Sequence, residues 1–88
     1  EWEVSSIKQP FNDIKEIIEN SPRSVIVDLD GDYLHAEVTS KWMKYVDDLE
    51  VSYVPESSKL FIRSESRVGE SDLGVNQKRV NLIKSKLF

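Results

Sequence analysis

The only histidine of the chain, His35, is the residue best suited to move a proton near neutral pH. Glu37 follows it by two positions, and Asp48 and Glu50 show the same spacing in a later segment. If the two segments are neighbouring strands, alternation places all of these side chains on one face of a sheet. Such a group can act as a general base with carboxylate partners, or it can hold a hard metal ion.

An ion-paired surface is the competing interpretation of the same residues. In the expected pairing of strands Arg63 lies opposite Glu50, so that carboxylate has a cross-strand counter-charge. Alternation sends Asp47 to the opposite face, which removes one carboxylate from the group. We favour the ion-paired surface and expect neither a metal nor a cofactor, and we keep Arg63, Arg67 and His35 as candidate binding residues.

The sequence approaches two functional motifs without completing either of them. A Ser–His nucleophile pair needs both side chains on one face, but alternation points Ser64 and Ser66 away from His35. Residues 28–32 read DLDGD and begin like a calcium loop, but the Gly and Glu of an EF-hand are missing from their positions. We therefore expect a non-catalytic binding or protein-interaction module, with an uncharacterised enzyme as the alternative.

A second candidate site is an anion pocket around residues 69–74, which begin and end on glycine before a helix. Such a turn exposes backbone N–H groups to a carboxylate or phosphate. The basic residues that flank it are Arg63, Arg67, Lys78 and Arg79. Asp72 lies within the segment, and its carboxylate would cap the same amides and repel an anion. An anion pocket and a structural loop that starts the helix are both compatible with the sequence.

The composition limits the classes of partner. The chain has 88 residues and a net charge of −4, which suits one small domain over residues 1–88. Residues 1–56 hold 13 acidic and 5 basic residues, and residues 57–88 hold 3 and 7, so net charges of −8 and +4 attract each other. The overall acidity argues against nucleic acid. We expect a protein or small-anion partner, a monomer or weak homodimer, and no transmembrane segment, because every apolar stretch is shorter than the ~18 residues required.

The absence of cysteine excludes disulfides, thiolate zinc sites and cysteine nucleophiles. The chain begins at Glu1 rather than Met, which suggests that an upstream part has been removed.

Hydrophobic periodicity predicts a helix, four strands and a second helix. Apolar residues at helical spacing mark helices over 10–20 and 75–87, the first through Phe11, Ile14, Ile17 and Ile18, the second through Val75, Val80, Ile83 and Leu87. Alternation marks strands over 24–29, 33–40, 46–54 and 59–67, joined by turns at 30–32 and 55–58. The predicted fold is an α+β two-layer sandwich, a four-stranded antiparallel meander with both helices on one face, in the order α-β-β-β-β-α.

Alternation also assigns the two faces of the sheet. The apolar face that the helices cover is expected to contain Val25, Val27, Leu29, Leu34, Ala36, Val38, Leu49, Val51, Tyr53, Leu60 and Ile62. The opposite face is expected to contain Tyr33, His35, Glu37, Asp48, Glu50, Ser52, Phe61, Arg63, Glu65 and Arg67. Aromatic residues mixed with arginines and carboxylates are typical of interfaces, so this face should contact Trp2 and Val4, a second copy or a protein partner.

Three segments carry a resemblance to a known family. Residues 33–40 read YLHAEVTS, residues 45–51 read YVDDLEV, and residues 61–80 read FIRSESRVGESDLGVNQKRV. In combination they resemble Domain of Unknown Function family 1499, which is known from bacteria and photosynthetic eukaryotes. The resemblance implies no established activity. Many members are exported, which implies an exported or envelope-associated protein.

The family pattern falls on His35, Glu37, Asp47, Asp48, Glu50, Arg63, Ser64, Ser66, Arg67, Gly69, Ser71, Asp72, Gly74, Asn76 and Arg79. Together, the residues and the resemblance give as candidate binding residues His35, Glu37, Asp48, Glu50, Arg63, Arg67, Asp72, Asn76 and Arg79.

Overall fold

Five antiparallel strands and two helices make up the fold in the computed structural model, which describes residues 1–39, 45–67 and 74–88. The strands are β1 (Trp2–Glu3), β2 (Ser24–Asp30), β3 (Tyr33–Thr39), β4 (Val46–Val54) and β5 (Lys59–Ser66), and the helices are α1 (Pro10–Glu19) and α2 (Val75–Leu87). The order across the sheet is β1-β5-β4-β3-β2. The predicted α+β class with an antiparallel sheet is confirmed, but the sheet has five strands rather than four.

The two helices bury the stripes that their apolar spacing defines. Pro10 occupies the first turn of α1, where its missing N–H costs no hydrogen bond, and Ile14 and Ile18 are buried in the core. In α2, Ile83 is buried, whereas Val75 is 47% exposed, which corrects its predicted place on the buried stripe. No helix in the described residues is long and apolar enough to cross a membrane.

Local turn chemistry sets the two hairpins as the sequence predicted. Asp30 pairs with Tyr33, and the intervening turn places Gly31 at a φ of +58°, a conformation that glycine adopts without steric cost. Val54 pairs with Lys59 across a short 3-10 turn (Pro55–Ser57). Alternation then carries the register along β3, β4 and β5, so that most of the charged side chains of these strands share a face.

The predicted face is wrong for Val25 and Val27, because β2 contains a β-bulge, whereas Leu29 pairs with Leu34 on the predicted side of the sheet. The register shifts between Ile26 and Asp28, so Ile26 pairs with Ala36 and packs against the core. The extra residue reverses the alternation. Val25 and Val27, which we expected in the core, are 62% and 48% exposed. Leu29, also predicted to be buried, is half-exposed because β2 lies at the edge of the sheet.

The N-terminal segment joins the helix-covered side of the sheet. Trp2 pairs with Leu60 of β5, and the backbone N–H of Val4 donates to the carbonyl of Ser58 at 2.9 Å. Val4 is buried, and the Trp2 ring meets Phe88 edge-on with a centroid distance of 6.1 Å. Trp2 and Val4 therefore do not cover the polar face, which corrects one of the expected contacts.

Candidate functional site

The exposed face of β3, β4 and β5 carries a continuous set of polar and aromatic residues, here called the polar strip. It consists of Tyr33, His35, Glu37, Asp48, Glu50, Ser52, Phe61, Arg63, Glu65 and Arg67. The antiparallel register places Glu37 opposite Asp48, His35 opposite Glu50, and Glu50 opposite Arg63. Arg67 follows the last residue of β5. The strip therefore depends on three strands whose alternation the sequence predicted correctly.

Asp48 is the centre of the first group of contacts in the polar strip. Its Oδ1 lies 2.8 Å from Nε2 of His35. Arg67 donates to both carboxylate oxygens, from Nε to Oδ2 at 2.9 Å and from Nη2 to Oδ1 at 2.8 Å. The same guanidinium donates to Oε2 of Glu37 at 2.5 Å. Arg67 thus ties two carboxylates from neighbouring strands together.

These hydrogen bonds hold Asp48 in its charged form. The hydrogen bonds from the Arg67 guanidinium, which is the largest cause, and from His35 together lower the pKa of the Asp48 carboxyl to about 2, although burial acts in the opposite direction. The carboxylates of Asp48 and Glu37 in turn raise the pKa of Arg67. Asp48 and Arg67 are therefore charged and paired with each other over the whole physiological pH range.

Glu50 is the centre of the second group. The Tyr33 hydroxyl donates to its Oε2 at 2.7 Å, and Nη2 of Arg63 donates to its Oε1. These two donors lower the pKa of Glu50, with Tyr33 as the larger cause. The same hydrogen bond raises the pKa of the Tyr33 hydroxyl, because its proton is held by the carboxylate. Tyr33 is thereby fixed at the margin of the strip, where Ser52 of β4 lies between it and Phe61.

The two groups border a shallow hollow of about 290 Å³, lined by His35, Asp48, Glu50, Arg63, Glu65 and Arg67. Each guanidinium is already bound to at least one carboxylate, so internal partners offset much of the positive charge that a small anion would need. Ser64, which could serve as a nucleophile, bonds to Asn76 on the other side of the sheet. In the described parts of the chain, no group of three His, Asp or Glu side chains is arranged to hold a metal ion.

A second polar cluster lies on the helix-covered face, where it connects α2 to the sheet. Nη1 of Arg79 donates to Oδ2 of Asp47 at 2.9 Å, to Oγ of Ser64 at 3.0 Å and to Oδ1 of Asn76 at 2.6 Å. Asp47 and Asn76 are buried. Because a buried charge is costly without a partner, this cluster fixes the position of α2 against β4 and β5.

The structure does not bring the four basic residues of the expected anion pocket together. Arg63 and Arg67 belong to the polar strip, whereas Arg79 is bound to Asp47 on the opposite face. Lys78 lies beside a cleft between the helices. Asp72, the remaining residue of that prediction, lies outside the described residues.

Sequence reasoning missed the pairing of Asp47 with Arg79, although one signal for it was present. Asp47 shares its alternation with Leu49 and Val51, which are core residues. A carboxylate at a core position requires a hydrogen-bonding partner. Asn76 and Arg79 are three positions apart in α2 and so lie on one face of the helix, which supplies that partner.

The comparison with protein families agrees with the resemblance. The model of a family described as "Protein of unknown function (DUF1499)" matches residues 1–87 of the chain. The chain belongs to the DUF1499 family. Comparisons with curated proteins and with solved structures give no significant match.

In this DUF1499 protein, most of the residues singled out by the family resemblance divide between the two clusters. The polar strip contains His35, Glu37, Asp48, Glu50, Arg63 and Arg67. The cluster under α2 contains Asp47, Ser64, Asn76 and Arg79. Gly74 begins α2 with a φ of +83°, a conformation that favours glycine. The cluster under α2 is largely buried and connects the helix to the sheet, whereas the polar strip lies on the open face.

Proposed function

We propose that this DUF1499 protein is a non-catalytic binding module whose polar strip docks against a basic surface of another protein. The observation that carries the proposal is the arrangement of charges around Asp48 and Glu50, which are held in place by Arg67 and Arg63 on an open sheet face. Because these side chains are already held in place, binding a partner costs little additional conformational entropy.

The charge of the polar strip supports a basic partner. The strip contains the carboxylates of Glu37, Asp48, Glu50 and Glu65 and the guanidiniums of Arg63 and Arg67. With His35 neutral, four negative and two positive charges leave a net charge of −2. Complementary potentials steer association and exclude partners of like charge, so a surface with exposed Lys or Arg residues fits this face better than a small anion does.

The aromatic residues at one margin of the strip support a protein partner. Phe61 is 42% exposed, and together with Tyr33 and Ser52 it borders a second hollow of about 440 Å³. Tyrosine and arginine are enriched among the residues that dominate interface energies, and aromatic side chains bring large contact areas at low entropic cost. The strip therefore combines aromatic side chains, which can bury apolar surface against a partner, with paired charges around them.

Photo-crosslinking in the native cell tests the proposal. A photoreactive amino acid placed at Ser52 samples the polar strip, and the same amino acid at the exposed Asn81 on α2 is the matched control. We expect a discrete protein adduct from position 52 and none of that size from position 81. The captured protein, once purified, should bind with a dissociation constant that increases with ionic strength.

Charge reversal then tests whether the strip itself is recognised. Glu65→Lys changes an exposed residue of the strip, and Glu56→Lys makes the same change in the turn before β5. We expect Glu65→Lys and Phe61→Ser to weaken binding at least tenfold, and Glu56→Lys to leave it unchanged, with all three variants retaining the circular dichroism spectrum of the parent. Equal adducts from both crosslinking positions, or binding insensitive to both strip variants, would refute the proposal.

A further inference from the structure

A cleft between α1 and α2, on the side of the molecule away from the polar strip, has a different chemical character. Its volume is about 340 Å³, which lies at the lower end of the range for small-molecule sites. Apolar side chains from both helices and two strands form most of its wall, among them Ile17, Val38, Leu49, Leu82 and Ile83. The cleft is therefore an apolar recess on a molecule whose surface is otherwise highly charged.

Every charged side chain among the described residues that line the cleft is basic. They are Arg23, Lys78, Arg79 and Lys86. This bias contrasts with the net charge of −4 of the whole chain. The Arg79 guanidinium is bound to Asp47, and Lys86 also borders a neighbouring hollow that contains Asp13 and Glu16. The positive charge available at the mouth of the cleft comes mainly from Arg23 and Lys78.

Arg23 is held in position at the mouth by the fold. Its φ of +60° places it in the left-handed turn that leads from α1 into β2, and its Nε donates to the carbonyl of Thr39 at 3.1 Å. The hydrogen bond uses one of the five N–H donors of the guanidinium and leaves others for an anion. Lys78 is exposed on the facing helix. The two side chains therefore supply cationic donors to the lining of an apolar recess.

We propose that this cleft binds a medium-chain fatty acid, with the alkyl chain against Ile17, Val75 and Leu82 and the carboxylate between Arg23 and Lys78. An alkyl chain needs no hydrogen bonds and suits an apolar wall, whereas the backbone of a peptide would leave amide groups unsatisfied there. The half-exposed Leu82 on the lip of the cleft would lose contact with water when the chain is bound. This site is separate from the polar strip and does not depend on its proposed function.

Calorimetric titration of the purified protein with decanoate, below its micellar concentration, tests the inference. Each methylene group removed from the ligand should raise the dissociation constant about fourfold, so octanoate, which has two fewer, should bind about fifteenfold more weakly than decanoate. Decyltrimethylammonium, with the same chain and the opposite charge, should not bind measurably. Decanol should bind, but more weakly than decanoate.

Two charge variants distinguish the cleft from general electrostatic attraction. Lys78→Glu should raise the dissociation constant for decanoate about tenfold or more, because it removes a charged hydrogen-bond donor. Lys8→Glu changes the net charge equally at an exposed position that does not line the cleft, and it should leave the constant unchanged. Both variants change exposed side chains, so their circular dichroism spectra should match that of the parent.

The inference fails if decanoate does not bind, or if the cationic ligand binds as tightly as the anionic one. It also fails if Lys78→Glu and Lys8→Glu weaken binding to the same extent, since that result would mean that the charge of the whole molecule, and not the cleft, attracts the ligand. None of these outcomes bears on the polar strip, because the variants that test the strip lie on the opposite face.

Discussion

Asp47 and Asp48 are adjacent in the chain, but each binds a different arginine on a different face of the sheet. Asp47 accepts a hydrogen bond from Arg79 at 2.9 Å on the helix-covered face, and Asp48 accepts two from Arg67 on the open face. The Asp47 side chain is 8% exposed, and the Asp48 side chain is 30% exposed. An aspartate–arginine pair should therefore affect stability differently at the two neighbouring positions, because water screens the Asp48–Arg67 pair but not the buried Asp47–Arg79 pair.

Replacement of each aspartate by asparagine should reveal this difference. Asp47→Asn leaves the Arg79 charge uncompensated beneath α2 and should lower the free energy of unfolding by about 3 kcal/mol. Asp48→Asn affects a solvated pair and should lower it by about 1 kcal/mol. Chemical denaturation with equal m-values measures both effects. Asp30→Asn in the β2–β3 turn is the control, with an expected change within about 0.5 kcal/mol. Equal losses of stability from the changes at positions 47 and 48 would contradict the conclusion that Asp47 is in a buried ion pair and Asp48 in a solvated one.

Because the pKa of Asp48 is lowered in the folded protein, part of the free energy of unfolding depends on pH. The folded protein has an Asp48 pKa of about 2, against 3.8 for an unperturbed carboxyl, chiefly because Arg67 binds the charged form. The unfolded state therefore binds the proton first as the pH falls. The contribution is complete above about pH 4 and decreases as the pH falls to about 2. We expect it to amount to about 1 kcal/mol after allowance for solvent screening.

Carbon-detected NMR titration of the Asp48 carboxyl, together with unfolding at pH 7 and pH 2, measures this effect. The stability difference between the parent and Asp48→Asn should be present at pH 7 and small at pH 2. In Arg67→Gln the Asp48 pKa should rise towards its ordinary value, because the largest cause of the shift is removed. An Asp48 carboxyl that titrates near pH 4 in the parent would show that the contact with Arg67 does not form in solution.

The parts of the fold that depend on local chemistry could be predicted from the sequence. Gly31 and Pro55 define turns, and the contrast between polar and apolar residues in β4 and β5 fixes which side chains share a face. The contacts around Asp48 and Glu50 follow from the same alternation. For this reason the polar strip was predicted together with its Glu50–Arg63 pair.

The parts that depend on tertiary packing could not be predicted. Residues 25–27 are all β-branched and apolar, so alternation gives no contrast with which to place a bulge. The strand β1 has two residues, too few to show any periodicity. The core position of Asp47 indicates that it needs a partner, but which residue supplies that partner depends on how α2 crosses the sheet, and no local pattern in the sequence determines this. These features are set by the contacts that each segment makes after the elements pack.

The bulge in β2 predicts unequal effects of two neighbouring substitutions. Ile26 packs against the core and pairs with Ala36, so Ile26→Ala should lower the free energy of unfolding by about 2 kcal/mol. Val25 is exposed on the other face, and Val25→Ala should change the stability by less than about 0.5 kcal/mol. The two changes shorten apolar side chains one position apart in the same strand, so they form a matched pair. A larger loss of stability from Val25→Ala than from Ile26→Ala would mean that Val25 packs against the core and that β2 contains no bulge.

The N-terminal segment should stabilise the fold although it forms only two residues of strand. Val4 is buried in the core, and the Trp2 ring lies between Phe88, at a centroid distance of 6.1 Å, and Lys84, whose Nζ is 5.9 Å from the ring centroid. Val4→Ala should lower the free energy of unfolding by about 2 kcal/mol through lost burial. Lys84→Gln removes the cation from an exposed site and should cost about 0.5 kcal/mol.

Trp2 also provides a direct readout of this packing. In a Trp42→Phe background, which leaves Trp2 as the only indole, the emission of the folded protein should be blue-shifted relative to the unfolded chain, because the ring is partly buried. Phe88→Ala should reduce that shift, since it removes the ring that meets Trp2 edge-on. Phe61→Ala is the matched control on the polar strip and should leave the emission unchanged. If Phe61→Ala altered the emission and Phe88→Ala did not, Trp2 would lie across the polar strip, and the surface proposed for a partner would be occupied by the chain itself.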